Sequence, residues 1–384
     1  MKILQVIPFF SPKFGGSVTV LYELSKELAK RNHEVTIITS DFGFDSQYAK
    51  TIHDAGVEVI PFHCIANFGL FLYTPSIKKW LEKNLKKFDI IHLHNYRSYQ
   101  NVVIRSFAVK YGIPYIVQAH GSLPRIIEKQ SLKKVYDMVW GNTILNHASK
   151  IVAVSRSEVD QFRQAGIPNE KITVIPNAVN YISPASLPPV GQFREHYNIH
   201  KKHIILYVGR LHKRKGIEFL ISAFYSFIQS WTRNDVALVI IGPDGGYQSL
   251  LENLVEQIGL SDKVRFIGFL PSLADAYLDA DVLVYPSIYE IFGLVPFEAL
   301  LCGTPVIVTN DCGCGEIIKE AECGYLVLYG DVASLSETLK FSLEHPDINR
   351  SMVEAGRRYI EEHLLWDSVV KQVEEMYEGC VRHV

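Results

Sequence analysis

Short apolar runs alternate along the chain with stretches whose apolar residues recur at helical spacing. Lys2–Pro8 is largely apolar and reads as a central strand of a parallel sheet. A loop from Phe9 to Gly16 follows, and Val20, Leu21, Leu24 and Leu28 then mark one face of a helix that Ser17 can cap. His33–Thr39, Val57–Phe62, Phe88–His94, Pro114–Gly121, Ile151–Ser155 and Ile172–Asn177 continue the series of strands as far as residues 181–191 (YISPASLPPVG), whose composition is that of a linker. Beyond it His203–Val208, Val236–Ile241, Val264–Ile267 and Val282–Tyr285 repeat the pattern. Strand and helix alternating in this way predict an α/β protein built on doubly wound parallel sheets.

A chain of 384 residues is long enough for about two domains, each with its own core. Hydrophobic residues at 48% and charged residues at 21% are ordinary for a soluble globular protein. No run approaches the ~20 apolar residues of a membrane span, and the start MKILQVIPFF meets Pro8 and Pro12 too soon for a signal peptide, so a cytoplasmic protein is expected. Six cysteines do not make a disulfide scaffold here. Cys312 and Cys314 lie close together, but without a C-x2-C pair or a nearby histidine no metal site is expected.

Charge is unevenly shared. Residues 1–180 hold 22 Lys and Arg against 14 Asp and Glu, whereas the remainder holds 17 against 27. A basic first half favours an anionic acceptor or membrane surface and is not by itself a sign of nucleic acid. Residues 75–89 (PSIKKWLEKNLKKFD) add an amphipathic basic helix in which Ile77, Leu81 and Leu85 share a stripe; Trp80 and the stretch 68–73 supply aromatic surface. That helix either lies on an anionic membrane or covers the domain core.

The most informative stretch is Ala280–Ile307 (ADVLVYPSIYEIFGLVPFEALLCGTPVI). An apolar run ends at Pro286, Glu290 follows in a loop, Gly293 permits close backbone approach, and a helix begins in which Pro296 is tolerable only in the first turn and Gly303 marks the end. On one continuous helix, residues eight apart are separated by roughly 80°. Glu290 and Glu298 are therefore better placed one on the loop and one on the helix, at the carboxyl end of the strands, where open α/β sheets bind ligands. The free N–H groups of the helix start suit a phosphate.

E-x7-E in this setting resembles the signature of the retaining glycosyltransferases of family 4 (group 1), which have the GT-B fold: two Rossmann-like doubly wound domains facing across a cleft. The loop Gly209–Gly216, with the pattern G-R-L-x3-K-G, is a second resemblance, as are the Gly15-Gly16 pair after the first strand, the GPDGG turn after Ile241, and Asp311–Ile318 with Cys323–Val327. A glycine pair by itself signals only a tight turn, and a basic loop only a solvated surface. Where the family usually continues its I-P-N segment with glycine and an acidic residue, this chain has Ala178 and Asn180, and no catalytic role is assigned there.

The resemblance implies an acceptor-side domain over 1–180, a nucleotide-sugar donor domain over 192–360, and a terminal helix, about 361–384, packing back on the first domain. It implies a hexosyltransferase moving a sugar from a nucleoside-diphosphate sugar, UDP- or GDP-linked, to a hydroxyl acceptor on a glycan or a lipid-linked cell-envelope precursor. Glu290 would bind sugar hydroxyls and Glu298 the ribose diol, for which a carboxylate's two acceptor oxygens are suited. Phe292, Gly293, Leu294 and Val295 belong to the donor-binding segment, the last three offering backbone N–H groups. Arg210, Lys215 and Gly16, with Gly15, would stabilise the departing diphosphate. Ile267 lies on the edge expected to read the base, and His120 would face the donor sugar, with His94 undecided. No cofactor and no metal are expected. The alternatives are a non-catalytic nucleotide-sugar binding protein and another GT-B enzyme, such as a nucleotide-sugar epimerase; a hydrolase is disfavoured because a neutral glycan has no use for the cationic loop.

Overall fold

The computed structural model describes residues 1–69, 71–125 and 130–382. Leu70 of the expected aromatic surface and the last two residues of the expected terminal helix lie outside these. The chain divides into two units, Met1–Ala178 with Trp366–Val384, and Val179–Leu365.

In the first unit β1 (Lys2–Val6), β2 (Glu34–Ser40), β3 (Glu58–Phe62), β6 (Ile90–His94), β7 (Tyr115–Gln118), β8 (Lys150–Ala153) and β9 (Ile172–Val174) form one parallel sheet in the order β3-β2-β1-β6-β7-β8-β9. Two short strands, β4 (Ala66–Phe68) and β5 (Phe71–Tyr73), make a separate antiparallel hairpin. The central strands are apolar on both faces because helices cover both, and β1 places Ile3 between Val35 and Ile90. The chain runs outward from β1 to β3, then restarts at β6 on the other side. That reversal opens a crevice at the carboxyl ends of β1 and β6.

The second unit repeats the device with β10 (His203–Val208), β11 (Val236–Ile241), β12 (Val264–Gly268), β13 (Val282–Tyr285), β14 (Val306–Thr309) and β15 (Tyr325–Val327) in the order β12-β11-β10-β13-β14-β15. Its switch point lies between β10 and β13. The basic loop follows the first of these strands and the Glu290 loop follows the second, so topology alone brings them together.

The terminal helix starts at Trp366 rather than near 361, because residues up to His363 complete the preceding helix, Pro346–His363. It buries Val369, Val370, Val373, Met376 and Tyr377 in a cluster shared with Ile3, Ile7, Leu21 and Leu24 of the first unit. Each such side chain contributes about 1.5–3 kcal/mol. Arg31 reaches Asp367 at 2.9 Å and Glu374 at 3.3 Å at the rim of this contact.

The basic helix is shorter than expected, Ile77–Asn84 followed by a 3-10 turn at Leu85–Lys87. Ile77, Leu81 and Leu85 are fully buried, and Trp80 packs edge-on against Phe62 at 5.9 Å. Of the two readings of this helix, its apolar stripe takes the core.

Candidate active site

In the second unit, the loop after β10 is pressed against the end of β13. Gly216 has φ 67°, and a Cβ there would lie 2.0 Å from the Pro286 carbonyl oxygen. Ile288 N–H donates to the Arg214 carbonyl at 2.9 Å, tying the two loops. Only glycine permits this approach, and it delivers Lys215 to Glu290. Lys215 Nζ pairs with Glu290 Oε2 and donates to the Tyr285 hydroxyl at 3.2 Å, while that hydroxyl donates to Glu290 Oε2 at 2.9 Å. Lys215 thereby uses two of its three N–H donors.

The Glu290 backbone is equally fixed. Its carbonyl accepts from Gly313 N–H at 2.8 Å, and Tyr289 before it holds φ 59°, an uncommon conformation for a bulky residue. Gly293, at φ 80°, would set a Cβ 2.9 Å from the Tyr285 ring and 3.3 Å from Glu290 Cγ. Burial and the Glu290 charge push the Tyr285 hydroxyl well above its ordinary pKa, so it stays a donor. The side chains of Lys215 and Glu290 keep 24% and 25% exposure, so the pair is not cut off from water.

Glu298 stands in the first turn of the helix Val295–Cys302, which has Pro296 in that turn and ends on Gly303. Its carboxylate accepts from the Tyr277 hydroxyl at 3.0 Å; burial raises its pKa and the Tyr277 bond lowers it, burial prevailing. Leu294 and Val295 present the helix-start backbone, whose N–H groups no intrahelical carbonyl reaches. Phe292 is buried, its ring against Phe297 at 5.4 Å. Ile267 lies on β12, the edge strand of the second sheet, paired on one side only, with β11. Arg210 is exposed, and its Cγ would be 3.2 Å from a Cβ on Gly245. Cys312 and Cys314 are free thiols with sulfurs 3.1 Å apart, and no group of three or more metal-ligating side chains occurs among the described residues.

In the first unit, Gly15 (φ 98°) and Gly16 open the helix Gly16–Lys30 after β1, and a Cβ on Gly16 would touch nothing. His120 follows β7 with φ 50°. The next N–H, of Gly121, donates to Glu158 at 2.8 Å, and the other Glu158 oxygen accepts from Val154 N–H at 2.9 Å. Glu158 is fully buried, and burial pushes its carboxyl up to about 7 despite the two N–H bonds. His120 Nε2 is 2.9 Å from His94 Nδ1, His94 Nε2 is 2.7 Å from Gln5 Oε1, and Gln5 Nε2 donates to the Tyr377 hydroxyl at 3.3 Å.

Sequence reasoning named His120, Glu290, Lys215 and Glu298 but missed Tyr285, Tyr277, Glu158, Gln5 and Tyr377. Glu158 carried a misleading signal. Ser155-x-x-Glu158 has the form of a capping box, yet only Ser155 keeps that role, accepting from the Glu158 N–H, while the glutamate side chain turns away to Val154 and Gly121.

Two family models match the chain: Glycosyltransferase Family 4 over residues 14–181 and Glycosyl transferases group 1 over residues 191–359. The chain belongs to the group 1, family 4 glycosyltransferases and has the GT-B fold. It is 28% identical to an uncharacterised glycosyltransferase of Methanocaldococcus jannaschii, covering 98% of both chains. It is 25% identical to N-acetyl-alpha-D-glucosaminyl L-malate synthase of Bacillus anthracis, over 97% of this chain and 96% of that one. Among solved structures it resembles Anabaena HepE in complex with UDP, with a TM-score of 0.82 and 21% identity, covering 99% of this chain and 100% of that one. The protein is a glycosyltransferase, which sets aside the binding-only and epimerase readings.

Proposed function

We propose that the protein is a retaining hexosyltransferase that moves a sugar from a UDP- or GDP-sugar to a hydroxyl acceptor on a glycan or lipid-linked precursor. The observation that carries this reading is the Lys215–Tyr285–Glu290 cluster at the switch point of the second sheet, an anion and a cation held together at a sheet's ligand-binding end. Glu290 hydrogen-bonds sugar hydroxyls and Glu298 the ribose diol. Lys215 turns its third N–H to the diphosphate, joined by Arg210 and by the helix start at Gly293–Val295. The UDP bound to HepE supports a nucleoside diphosphate as the leaving group.

In the reaction the bond from the anomeric carbon to phosphate oxygen breaks and a bond to the acceptor oxygen forms on the same face. The acceptor's proton passes to the departing phosphate oxygen. Cations that meet the growing phosphate charge lower this barrier, and no carboxylate nucleophile is needed. A panel of UDP-, GDP- and ADP-sugars, scored by thermal shift and by slow release of nucleoside diphosphate, tests the reading. One donor should stabilise the wild type and be hydrolysed only when Glu290 is present; stabilisation by none of them overturns it.

A membrane-borne acceptor is favoured by a different surface from helix 77–84. Leu132, Val135, Met138 and Val139 are all about half exposed or more on the helical stretch 130–147, with Lys134 beside them. Trp140 stacks on Phe71 of the β4–β5 hairpin at 6.0 Å, whose Phe68 is also exposed. Apolar side chains flanked by lysine suit the interface of an anionic bilayer. Cosedimentation with anionic vesicles at low salt, lost in Met138→Glu and absent with zwitterionic vesicles, is the expected result; equal recovery of wild type and variant overturns it.

A further inference from the structure

Three histidines of the first unit, His92, His94 and His120, are the ends and middle of a continuous hydrogen-bond chain. His120 Nε2 meets His94 Nδ1, His94 Nε2 meets Gln5 Oε1, Gln5 Nε2 donates to the Tyr377 hydroxyl, and that hydroxyl lies 2.7 Å from His92 Nδ1. Gln5, His92, His94 and Tyr377 are fully buried. Burial depresses all three imidazoles, His92 and His120 to about 3 and His94 well below its ordinary value. Each ring is therefore neutral near pH 7, with one N–H and one lone pair.

With the Gln5 amide oxygen turned to His94, these contacts set where the protons lie. Gln5 Oε1 only accepts, so His94 carries its proton on Nε2 and offers a bare Nδ1. His120 must then donate to it from Nε2. At the other end the Gln5 amide donates to the Tyr377 oxygen, so the single tyrosine proton goes to His92 Nδ1 and His92 keeps its own on Nε2. His92 and Asn177 line one small cavity, and His92 Nε2 and Asn177 Oδ1 are both buried without a protein partner among the described residues.

We propose that Gln5 and Tyr377 are positioning residues for His120, holding it through His94 as the Nε2–H tautomer so that the ring offers a bare Nδ1 to a sugar hydroxyl. The ring then accepts a hydrogen bond and does not protonate the leaving phosphate. Glu158 fixes the backbone beside it through Gly121, while the terminal helix, through Tyr377, sets its chemistry. This inference rests on the placement of His120 at the donor sugar, but its decisive readout does not.

The test is a two-bond proton–nitrogen correlation spectrum of the full chain labelled with 15N-histidine, the His120 signals being assigned by their loss in His120→Gln. Wild type should show His120 protonated on Nε2 only. Tyr377→Phe and Gln5→Met, which cut the chain at different links, should each give mixed tautomers at His120 and lower kcat about fivefold, the worth of one hydrogen bond, with less effect on the donor KM. Val373→Ala, on the same helix but outside the chain, should leave the tautomer alone. An Nδ1–H or doubly protonated His120 in the wild type, or a tautomer that both cuts leave unchanged, overturns the proposal. Because the spectrum needs no substrate, it decides the tautomer even if no transfer is found with any donor.

Discussion

The two sheets reverse direction in the same way, yet the side chains gathered at their switch points differ in kind. In the second unit the site is ionic, Lys215 paired with Glu290 at partial exposure and a tyrosine hydroxyl bridging them. In the first it is neutral, a file of imidazoles, an amide and a phenol that is fully buried except at His120. Burial accounts for the difference. A charge pair survives where water still reaches it, whereas desolvation discharges the fully buried His92 and His94 and the partly buried His120. The same topology can therefore present charge to a phosphate in one place and oriented neutral acceptors in another.

The largest expected effect tests the ionic side. Glu290→Gln removes the charge but keeps a hydrogen-bonding group, and kcat should fall about 10²–10³-fold, the scale of losing one preorganised electrostatic contact. His120→Gln, which preserves a neutral acceptor, should lose only about tenfold. Equal losses would erase the contrast. Lys215→Ala combined with Glu290→Gln should cost less than the sum of the two, since each residue's role depends on the other.

Glu158 sharpens the neutral side through pH. Its folded pKa of about 7 exceeds the ordinary 4.5, so the folded chain binds the proton more tightly. The resulting stability is fully present below about 4.5 and is lost as pH rises through about 7. Urea unfolding at pH 5 and pH 8 should show a drop on the order of 2 kcal/mol from this group, and Glu158→Gln should flatten it. A variant with the wild-type slope would show that the carboxyl is ionised throughout.

Glu298→Gln is expected to have a smaller effect, raising the donor KM about tenfold with little change in kcat, as for loss of a charged hydrogen bond made alike in the ground and transition states. Titration of initial rates against donor concentration decides it. The smallest expected effect is that of EDTA. If Arg210 and Lys215 meet the diphosphate as proposed, activity should survive the chelator; its loss, restored by manganese, would mean that a metal shares the charge assigned to the basic loop.

Much of this was readable from residue order. The strands followed from apolar runs, Gly303 and Pro296 bounded their helix, and Glu290 and Glu298 could be assigned to loop and helix because an eight-residue spacing does not keep them on one helical face. The helix at 77–84 was half readable, since its stripe was plain but the sequence did not say whether core or membrane would cover it. Tyr285 was hidden because the end of a buried strand looks apolar, and only the fold shows its hydroxyl emerging beside Lys215 and Glu290.

What the sequence determined by itself was local: which segments extend, which coil, where glycine must relieve the backbone, and which charged residues stand at loop ends. The tertiary structure decided what depends on distant partners. Gln5 and Tyr377 stand 372 positions apart, and Glu158 clamps Gly121 from 37 positions away. No local pattern can encode such pairs, because a hydrogen bond between buried groups is specified by the packing that brings them together and by the water that packing removes.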